Sequence, residues 1–398
     1  GIDMAEKYAE LPNDTVTEDV VKVAGRIRAI RNSGMFVDIY DSTGKVQIYT
    51  SKNESSQELL DMLDLLDIGD IIGVEGIVKR TKRGELSVSS NKITMLAKAL
   101  LPLPEKFHGL TDTDTKYRQR YLDLITNEET KQTFIKRSKI INFIRNFLVK
   151  HDFMEVETPI LQSVASGAAA RPFVTKHNAL DKTYYLRIAP EIFLKQVVAG
   201  GVPRVFELGK DFRNEGMDAQ HLQEFTMLEW YASYWDFNNN IDFVTKLLKE
   251  LIQEVCGTLE IEYQGINLNF GGEWQRVDYI KSLNELLGVN ILDFEDVEEL
   301  KQVVYKLNRF DKGEVEDINN LGALFDYLYK RSIRMDIVQP TIVYNYPNLV
   351  PLARPSDENS KTIEMFQVLV AGMEISKAYS ELVDPDIQRA GFEEQMRN

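Results

Sequence analysis

Residues 204–234 read RVFELGKDFRNEGMDAQHLQEFTMLEWYASY, and the fold of the chain turns on how this stretch is parsed. Val205-Phe206-Glu207-Leu208 and Phe225 to Tyr231 have the alternation of two strands, and the polar residues between them form a long loop. The spacing therefore predicts an antiparallel hairpin. Strand side chains alternate between faces, so Phe225, Met227, Glu229 and Tyr231 share one face, and Thr226, Leu228, Trp230 and Ala232 the other. One face thus carries an acid and a phenol among apolar neighbours. On the loop, Arg213 and Glu215 close to Phe225 suit binding of an anion together with an aromatic ring. Taken alone, the stretch is equally compatible with an ordinary hairpin and a solvated loop.

Working outward, 398 residues exceed one ordinary core and imply two or three domains. Apolar content of 43% and charged content of 27% indicate a globular chain, not a disordered one. No apolar run approaches the roughly 20 residues needed to span a bilayer, and the N-terminus GIDMAEKYAEL lacks the basic and apolar regions of a signal peptide. A cytoplasmic protein is the expectation, with no membrane partner. The single cysteine, Cys256, excludes an internal disulfide framework and is expected as a buried residue ending an apolar helix. Histidines at 108, 151, 177 and 221 have no zinc-ligand spacing, so any metal should be a hard ion on carboxylates. A net charge of −15 argues against nonspecific nucleic-acid binding by the whole surface, while leaving room for a local basic patch.

Residues 20–99 read as all-β: VVKVAGRIRAI, MFVDIYD and KVQIYT, then an acidic helical piece, SSQELLDMLDLL, then IIGVEGIVKRT and GELSVSSNKITMLA. Five short strands with one interposed helix suit an oligonucleotide/oligosaccharide-binding (OB) barrel. Arg26, Arg28, Arg31, Lys79, Arg80, Lys82 and Arg83 gather its positive charge. Phe36 can stack a base with Gln47 reading its edge, or it is core and the arginines only solubilise. LPLP at 101–104 marks a linker, so residues 1–104 and 105–398 are the expected domains. Beyond it, helices are expected over 116–125, 128–150 and 237–256, a strand in HDFMEVETPIL, another at 184–188, and a helix from Pro190 to Val198 with Glu191 in its first turn. Residues 278–335 read as an acidic helical insertion. PTIVYNYP resumes the strands, and IEMFQVLVAGMEISKAYSEL reads as two more joined by a turn at Gly372.

Together LTDTDTKYRQRYLDLI, FMEVETPIL, SGAAARPF, HNALD, YLRIAPE, VFELGKDFRNEGMDAQH with EFTMLEWY, and AYSEL resemble the class II lysyl-tRNA synthetases, in family order from about residue 20 to residue 395. The resemblance implies an α+β protein: a five-stranded OB-fold anticodon-binding barrel followed by a class II catalytic domain, an antiparallel sheet flanked by helices with the helical insertion. It implies a homodimer formed partly through FMEVETPIL, and ATP, lysine and tRNA(Lys) as substrates with Mg²⁺ as cofactor. Lysine would be activated to lysyl-adenylate and passed to the 3′ end of tRNA. By the same resemblance Arg213 bridges the α-phosphate and the lysine carboxylate, Glu215 holds the adenine amino group, His221 the phosphate tail, and Phe225 stacks on adenine. Glu374 binds Mg²⁺, with Gln367 at a second metal position. Glu229, Tyr231 and Glu381 surround the ε-ammonium, Glu191 and Gly167 take the α-amino group, and Tyr379 walls the aliphatic stem. Tyr379 as plain core and Glu191 as a helix-dipole acid remain open readings. Arg26, Arg28, Phe36 and Gln47 fall at the anticodon.

The chain departs from the family pattern at Ser166 and Gln223, which replace a glycine and a proline, and at Lys176, which replaces a histidine. Gln367 replaces a second metal-binding glutamate. Lys377 stands where an asparagine contacts the lysine carboxylate; it can bind that carboxylate or reach Glu381. The family's third motif is not found before Arg397-Asn398, so a piece of a longer protein is the expectation. The rival reading is a synthetase-derived RNA-binding or regulatory paralogue with impaired aminoacylation.

Overall fold

The computed structural model describes residues 2–104, 110, 112–168, 170–218 and 221–395. His108, Ala169, Ala219, Gln220, Arg397 and Asn398, which the sequence reading touched, lie outside the described residues. The chain divides into two compact units, residues 1–135 and 136–398.

In the first unit, after a short helix α1 (Ile2–Lys7), strands β1 (Thr15–Arg31), β2 (Phe36–Tyr40), β3 (Lys45–Tyr49), β4 (Ile71–Arg80) and β5 (Leu86–Ala97) close into a barrel of order β1-β2-β3-β5-β4. The expected interposed helix is α2 (Gln57–Asp64); Ser56 caps it, and Leu59 and Leu63 seal the barrel end. Alternation sends Ile27, Val37, Ile39, Ile48, Ile72 and Val88 inward, all fully buried. The helix expected over 116–125 is instead two, α3 (Thr113–Arg118) and α4 (Arg120–Thr126). Gln119 leaves helical geometry at φ −116°, ψ 53°, which starts a second helix.

Helix α5 (Glu128–Lys150) has the predicted bounds and leads into the second unit. The strand expected in HDFMEVETPIL is only two residues, β6 (Met154–Glu155), because the proline that follows stops pairing at a sheet edge. A three-stranded sheet follows from β7 (Leu161–Gln162), β8 (Val174–His177) and β9 (Lys182–Leu186), then helix α6 (Glu191–Ala199). The hairpin strands are β10 (Arg204–Phe212) and β11 (Glu224–Ala232), in a sheet of order β11-β10-β6 with β6 parallel to β10. Helix α7 (Phe237–Cys256) starts in a capping box of Asp236 and Asn239 and stops at Gly257 in the left-handed region. Its apolar stripe ends at Leu251, a turn before Cys256, so Cys256 is exposed and not buried as expected.

The small hairpin β12 (Glu260–Tyr263) and β13 (Ile266–Asn269) precedes a second sheet. It is built from β14 (Gln275–Asp278), β15 (Thr341–Pro347), β16 (Thr362–Val370) and β17 (Met373–Tyr379), in that order, with β14 parallel to β15. Between β14 and β15 lies the helical insertion: α8 (Tyr279–Leu287), α9 (Val297–Lys306), α10 (Lys312–Glu316), α11 (Leu321–Arg331) and α12 (Ile333–Asp336). Helix α13 (Pro385–Gln395) follows β17.

Helix α7 covers one face of each of the two sheets. Its Phe243 and Leu247 pack with Phe147, Phe153, Phe206 and Trp230, and its Ile241 and Val244 pack with Phe366 and Val368. Each such buried side chain contributes about 1.5–3 kcal/mol. Both sheets thus commit one face to α7. The opposite faces carry Glu229 and Tyr231 on β11, and Gln367 and Tyr379 on β16 and β17.

Candidate active site

In the hairpin, Glu207 lies opposite Glu229, Gly209 opposite Met227, Asp211 opposite Phe225 and Val205 opposite Tyr231. Opposed residues share a face, so this register gathers three acids around a strip of backbone. Buried under it is Arg187, 1% exposed. Its Nε donates to the Lys210 carbonyl at 2.9 Å and its Nη1 donates to Thr158 Oγ1 at 2.9 Å and to the Glu207 carboxylate. Asp211 Oδ1 lies 2.9 Å from Arg187 Nε, but that N–H is spent on Lys210, and neither Asp211 oxygen accepts a hydrogen bond. Burial therefore pushes the Asp211 carboxyl up to about 6, against the pull of Arg187 and Arg213. A Cβ at residue 209 would come within 2.3 Å of Arg187 Nη2, so only glycine admits the guanidinium there. Arg187 was missed in the sequence; the available signal was a cation inside the apolar strand YYLRIAP, facing acids at alternate positions of β10.

The loop between the strands is drawn into one cluster. Arg213 N donates to the Gln223 carbonyl at 2.9 Å, and Gln223 Nε2 returns a bond to the Glu215 carbonyl at 3.1 Å, so Gln223 staples the loop base. Asn214 N donates to the Arg171 carbonyl at 2.7 Å and Arg171 N to Glu215 Oε1 at 3.2 Å. The Arg213 guanidinium stands 5.2 Å from the Phe225 ring centre, a cation over an aromatic face, and its Nε reaches the Ile188 carbonyl at 3.4 Å. His221 is braced by the Asp218 carboxylate at 2.8 Å.

Further along β11 more acids converge. The Glu229 carboxyl is pushed up to about 8, first by burial and then by Glu191 and Asp211, with Tyr231 and Arg213 opposing. Tyr231 donates to Glu229 Oε2 at 3.2 Å, and its own ionisation is pushed well above normal by burial and the neighbouring acids. Glu191 is 6% exposed at the start of α6. Gly167 has φ +91°, and a Cβ there would press on Glu191 Cβ and Ala189 Cβ at 3.2 Å, so the glycine lets that backbone lie against the acid. Glu381 arrives from the segment after β17, where it is fixed by a bridge to Ala353. Burial raises its carboxyl too, while Lys195 counters. Tyr379 is half-buried beside these acids. Lys195, absent from the sequence reading, contacts both Glu191 and Glu381.

On β16 and β17, Gln367 lies opposite Lys377 and Leu369 opposite Glu374. A bulge between Val368 and Leu369 puts Glu374 on the same face as Lys377 and Tyr379, which the odd sequence spacing conceals. Gln367 Oε1 accepts from the Tyr346 hydroxyl at 2.8 Å. Lys377 is exposed, and the ion pair to Glu381 comes from Lys195. Among the described residues no three His, Cys, Asp or Glu side chains group to hold a metal. One carboxylate and one amide oxygen are hard donors, which fit a Mg²⁺ that takes its remaining ligands from phosphates and water.

In the barrel, Phe36 is half-buried with its ring 5.3 Å from that of Tyr49, and Gln47, buried, accepts from Ser87 Oγ at 2.9 Å. Both residues face away from the barrel interior, beside Asp38, which pairs with Arg31 at 2.8 Å. Lys79 lies 3.3 Å from the Tyr49 ring centre. Tyr49, Arg31 and Lys79 thus join Phe36 and Gln47 on one aromatic, basic face. Arg26 donates to the Gly69 carbonyl at 2.8 Å, and Arg28 stacks 4.4 Å over Tyr40.

Family comparison matches residues 21–96 to the OB-fold nucleic acid binding domain and residues 112–398 to the class II tRNA synthetases (D, K and N). The lysine–tRNA ligase of Sinorhizobium medicae is 43% identical over 397 residues, covering 99% of this chain and 79% of the relative. That of Clostridium tetani is 39% identical over 398 residues, covering 99% and 78%. That of Staphylococcus aureus is 38% identical over 401 residues, covering 99% and 80%.

Proposed function

The chain belongs to the class II tRNA synthetases, in the company of the lysine–tRNA ligases, and from that premise we propose that its catalytic unit joins lysine to tRNA(Lys). It is a ligase of the aminoacyl-tRNA synthetase class. The observation that carries lysine as the amino acid is the convergence of Glu191, Glu229, Glu381 and two phenols in one half-buried recess. A buried ammonium demands such acceptors, whereas a carboxylate substrate would be repelled and a neutral amide would leave the acids without a counter-charge.

In the first step the lysine carboxylate oxygen attacks the α-phosphorus of ATP, the bond to the β-phosphate breaks, and pyrophosphate leaves. In the second, the terminal ribose hydroxyl of tRNA attacks the acyl carbon, loses its proton, and AMP departs. The charge that develops at phosphorus calls for a positioned cation more than for a proton carrier. Arg213 supplies it, held over Phe225, which stacks the adenine, while Glu215 takes the adenine amino group and His221 the phosphate tail. Gly167 and Glu191 receive the α-amino group. Lys377, on the open face of β17, pairs with the lysine carboxylate. Glu374, with the Gln367 oxygen, would hold a Mg²⁺ that neutralises the ATP phosphates.

Residues 1–104 act as the anticodon-binding domain, Phe36 and Gln47 meeting bases and Arg26 and Arg28 the anticodon backbone; residues 105–398 form the catalytic domain. Amino-acid-dependent ATP–pyrophosphate exchange tests the whole reading. Exchange should respond to lysine alone. Glu381→Gln should raise the lysine KM about tenfold or more with the ATP KM little changed. Phe36→Ala should leave exchange intact and raise the KM for tRNA in aminoacylation. Exchange driven equally by other amino acids, or an unchanged lysine dependence in the Glu381 variant, would refute the pocket assignment.

A homodimer through α5 and β6 fits the same reading. Of the 23 residues of α5 only Phe147 and Leu148 are buried, and Val149, Met154, Ile160, Leu161 and Val164 lie exposed nearby. Sedimentation equilibrium should return twice the chain mass; a monomer at micromolar concentration would count against it. No helix among the described residues is long and apolar enough to cross a membrane. We place the enzyme in the cytoplasm, where its substrates are made.

A further inference from the structure

We propose that Lys195 is a positioning residue for lysine selection, its ammonium supplying the resident positive charge that allows three carboxylates to converge on a substrate bringing only two ammonium groups. Lys195 Nζ lies 2.7 Å from Glu191 Oε1 and 2.7 Å from Glu381 Oε2, and 5.7 Å from the centre of the Tyr231 ring. Glu191 sits one helical turn before it on α6, but Glu381 arrives nearly two hundred residues later, after β17. The lysine therefore ties the far end of the recess to the helix that carries its other acid.

The charges show why a fixed cation is needed. Once lysine binds and displaces the proton that burial favours on Glu229, the acids Glu191, Glu229 and Glu381 bring three negative charges. A bound lysine brings an ε-ammonium and an α-ammonium, its carboxylate being matched by Arg213 and Lys377 outside this cluster. One acid is left over, and an unmatched buried carboxylate is costly. Lys195 balances the set. Groups facing this cluster are Glu191 from α6, Glu229 and Tyr231 from β11, and Tyr379 and Glu381 from β17 and the segment after it. Asp211 and Arg213 act on Glu229 from the hairpin. Burial disfavours the Lys195 ammonium, yet Glu381 and Glu191 outweigh burial and hold it more firmly charged than usual. This is not a mobile surface pair: the Lys195 side chain is 27% exposed and that of Glu191 8%.

The inference rests on the lysine reading, and the test separates the two. Lysine binding would be followed by calorimetry at pH 7 and pH 9 in the full chain, beside exchange kinetics, for wild type, Lys195→Met and Lys195→Arg. Methionine keeps the length and loses the charge. Lys195→Met should weaken lysine binding about tenfold at pH 7 with the ATP KM within about twofold of wild type. Most of that loss should vanish at pH 9, where Glu229 and Glu381 ionise without help, and Lys195→Arg should stay within about threefold. Lysine binding by Lys195→Met as tight as wild type, or tighter, would overturn the proposal and make Lys195 a bystander or a competitor. Equal losses for lysine and ATP at both pH values would reduce it to a structural prop and overturn it as well. A wild-type chain that binds no lysine would sink the lysine reading and this inference with it, whereas wild-type binding with an unaffected variant sinks the inference alone.

Discussion

Replacing Arg213 with alanine should lower lysine-dependent ATP–pyrophosphate exchange by about 10²–10³-fold, the loss expected when a preorganised charge at the reacting centre is removed. The melting temperature should barely move. Arg213 is half-buried, and among the described residues its side chain is tied by a 3.4 Å bond to the Ile188 carbonyl and by the Phe225 face, so little of the fold depends on it. Lysine in its place should recover little, because a point charge cannot span phosphate and carboxylate as a planar fork does. A second effect follows from the same charge. Arg213 holds down the carboxyls of Glu229 and Asp211, so its loss lets both rise further. Glu229, already pushed up to about 8, then binds its proton more tightly at neutral pH, and an ammonium must displace that proton to pair with it. The lysine KM should therefore increase in Arg213→Ala most below pH 8 and least above it. Exchange within threefold of wild type would remove Arg213 from the centre of the chemistry.

Local pattern explains what could be read without coordinates. Period-two alternation told both faces of β11 apart, since the face with Leu228 and Trp230 meets Phe243 and the other carries Glu229 and Tyr231. The barrel strands, the 23-residue α5 and the turn at Gly372 were legible for the same reason, the turn taking φ +48° at Ala371 and +72° at Gly372. What escaped depends on contacts between distant segments. Lys195 looks like one more cation on an amphipathic helix until Glu381 is seen beside it. Arg187 looks like an interruption of a strand until Gly209 opens space for it. The face shared by Glu374, Lys377 and Tyr379 depends on a bulge, which no side-chain period announces. Gln119 broke a helix whose apolar spacing runs on without pause, and Cys256 lies past the stripe that would have buried it.

Arg187→Met should destabilise the catalytic unit by about 3–5 kcal/mol, the cost of stranding buried charge when one partner is deleted. Its transition should fall by about 10 °C. Methionine fills much of the volume, so packing is not what is lost. Glu207 keeps Thr158 as a donor, but Asp211 loses the guanidinium that lies against it and already lacks a hydrogen-bond donor. Asp211 then gains a proton more readily. The direction of the pH dependence follows from proton counts: an acid whose folded pKa is raised binds more protons folded than unfolded, so stability falls as pH rises between its ordinary value and its raised one. In wild type, Asp211 should already give this sign between its ordinary carboxyl value and about 6. Arg187→Met should show it more steeply and up to higher pH. Adding Glu207→Gln and Asp211→Asn should restore part of the loss and flatten the pH curve, because neutral amides need no counter-ion. Circular dichroism melts from pH 5 to pH 8 measure both. A triple variant no more stable than Arg187→Met would mean that the guanidinium acts through its bonds to the Lys210 and Thr158 oxygens, and not through charge.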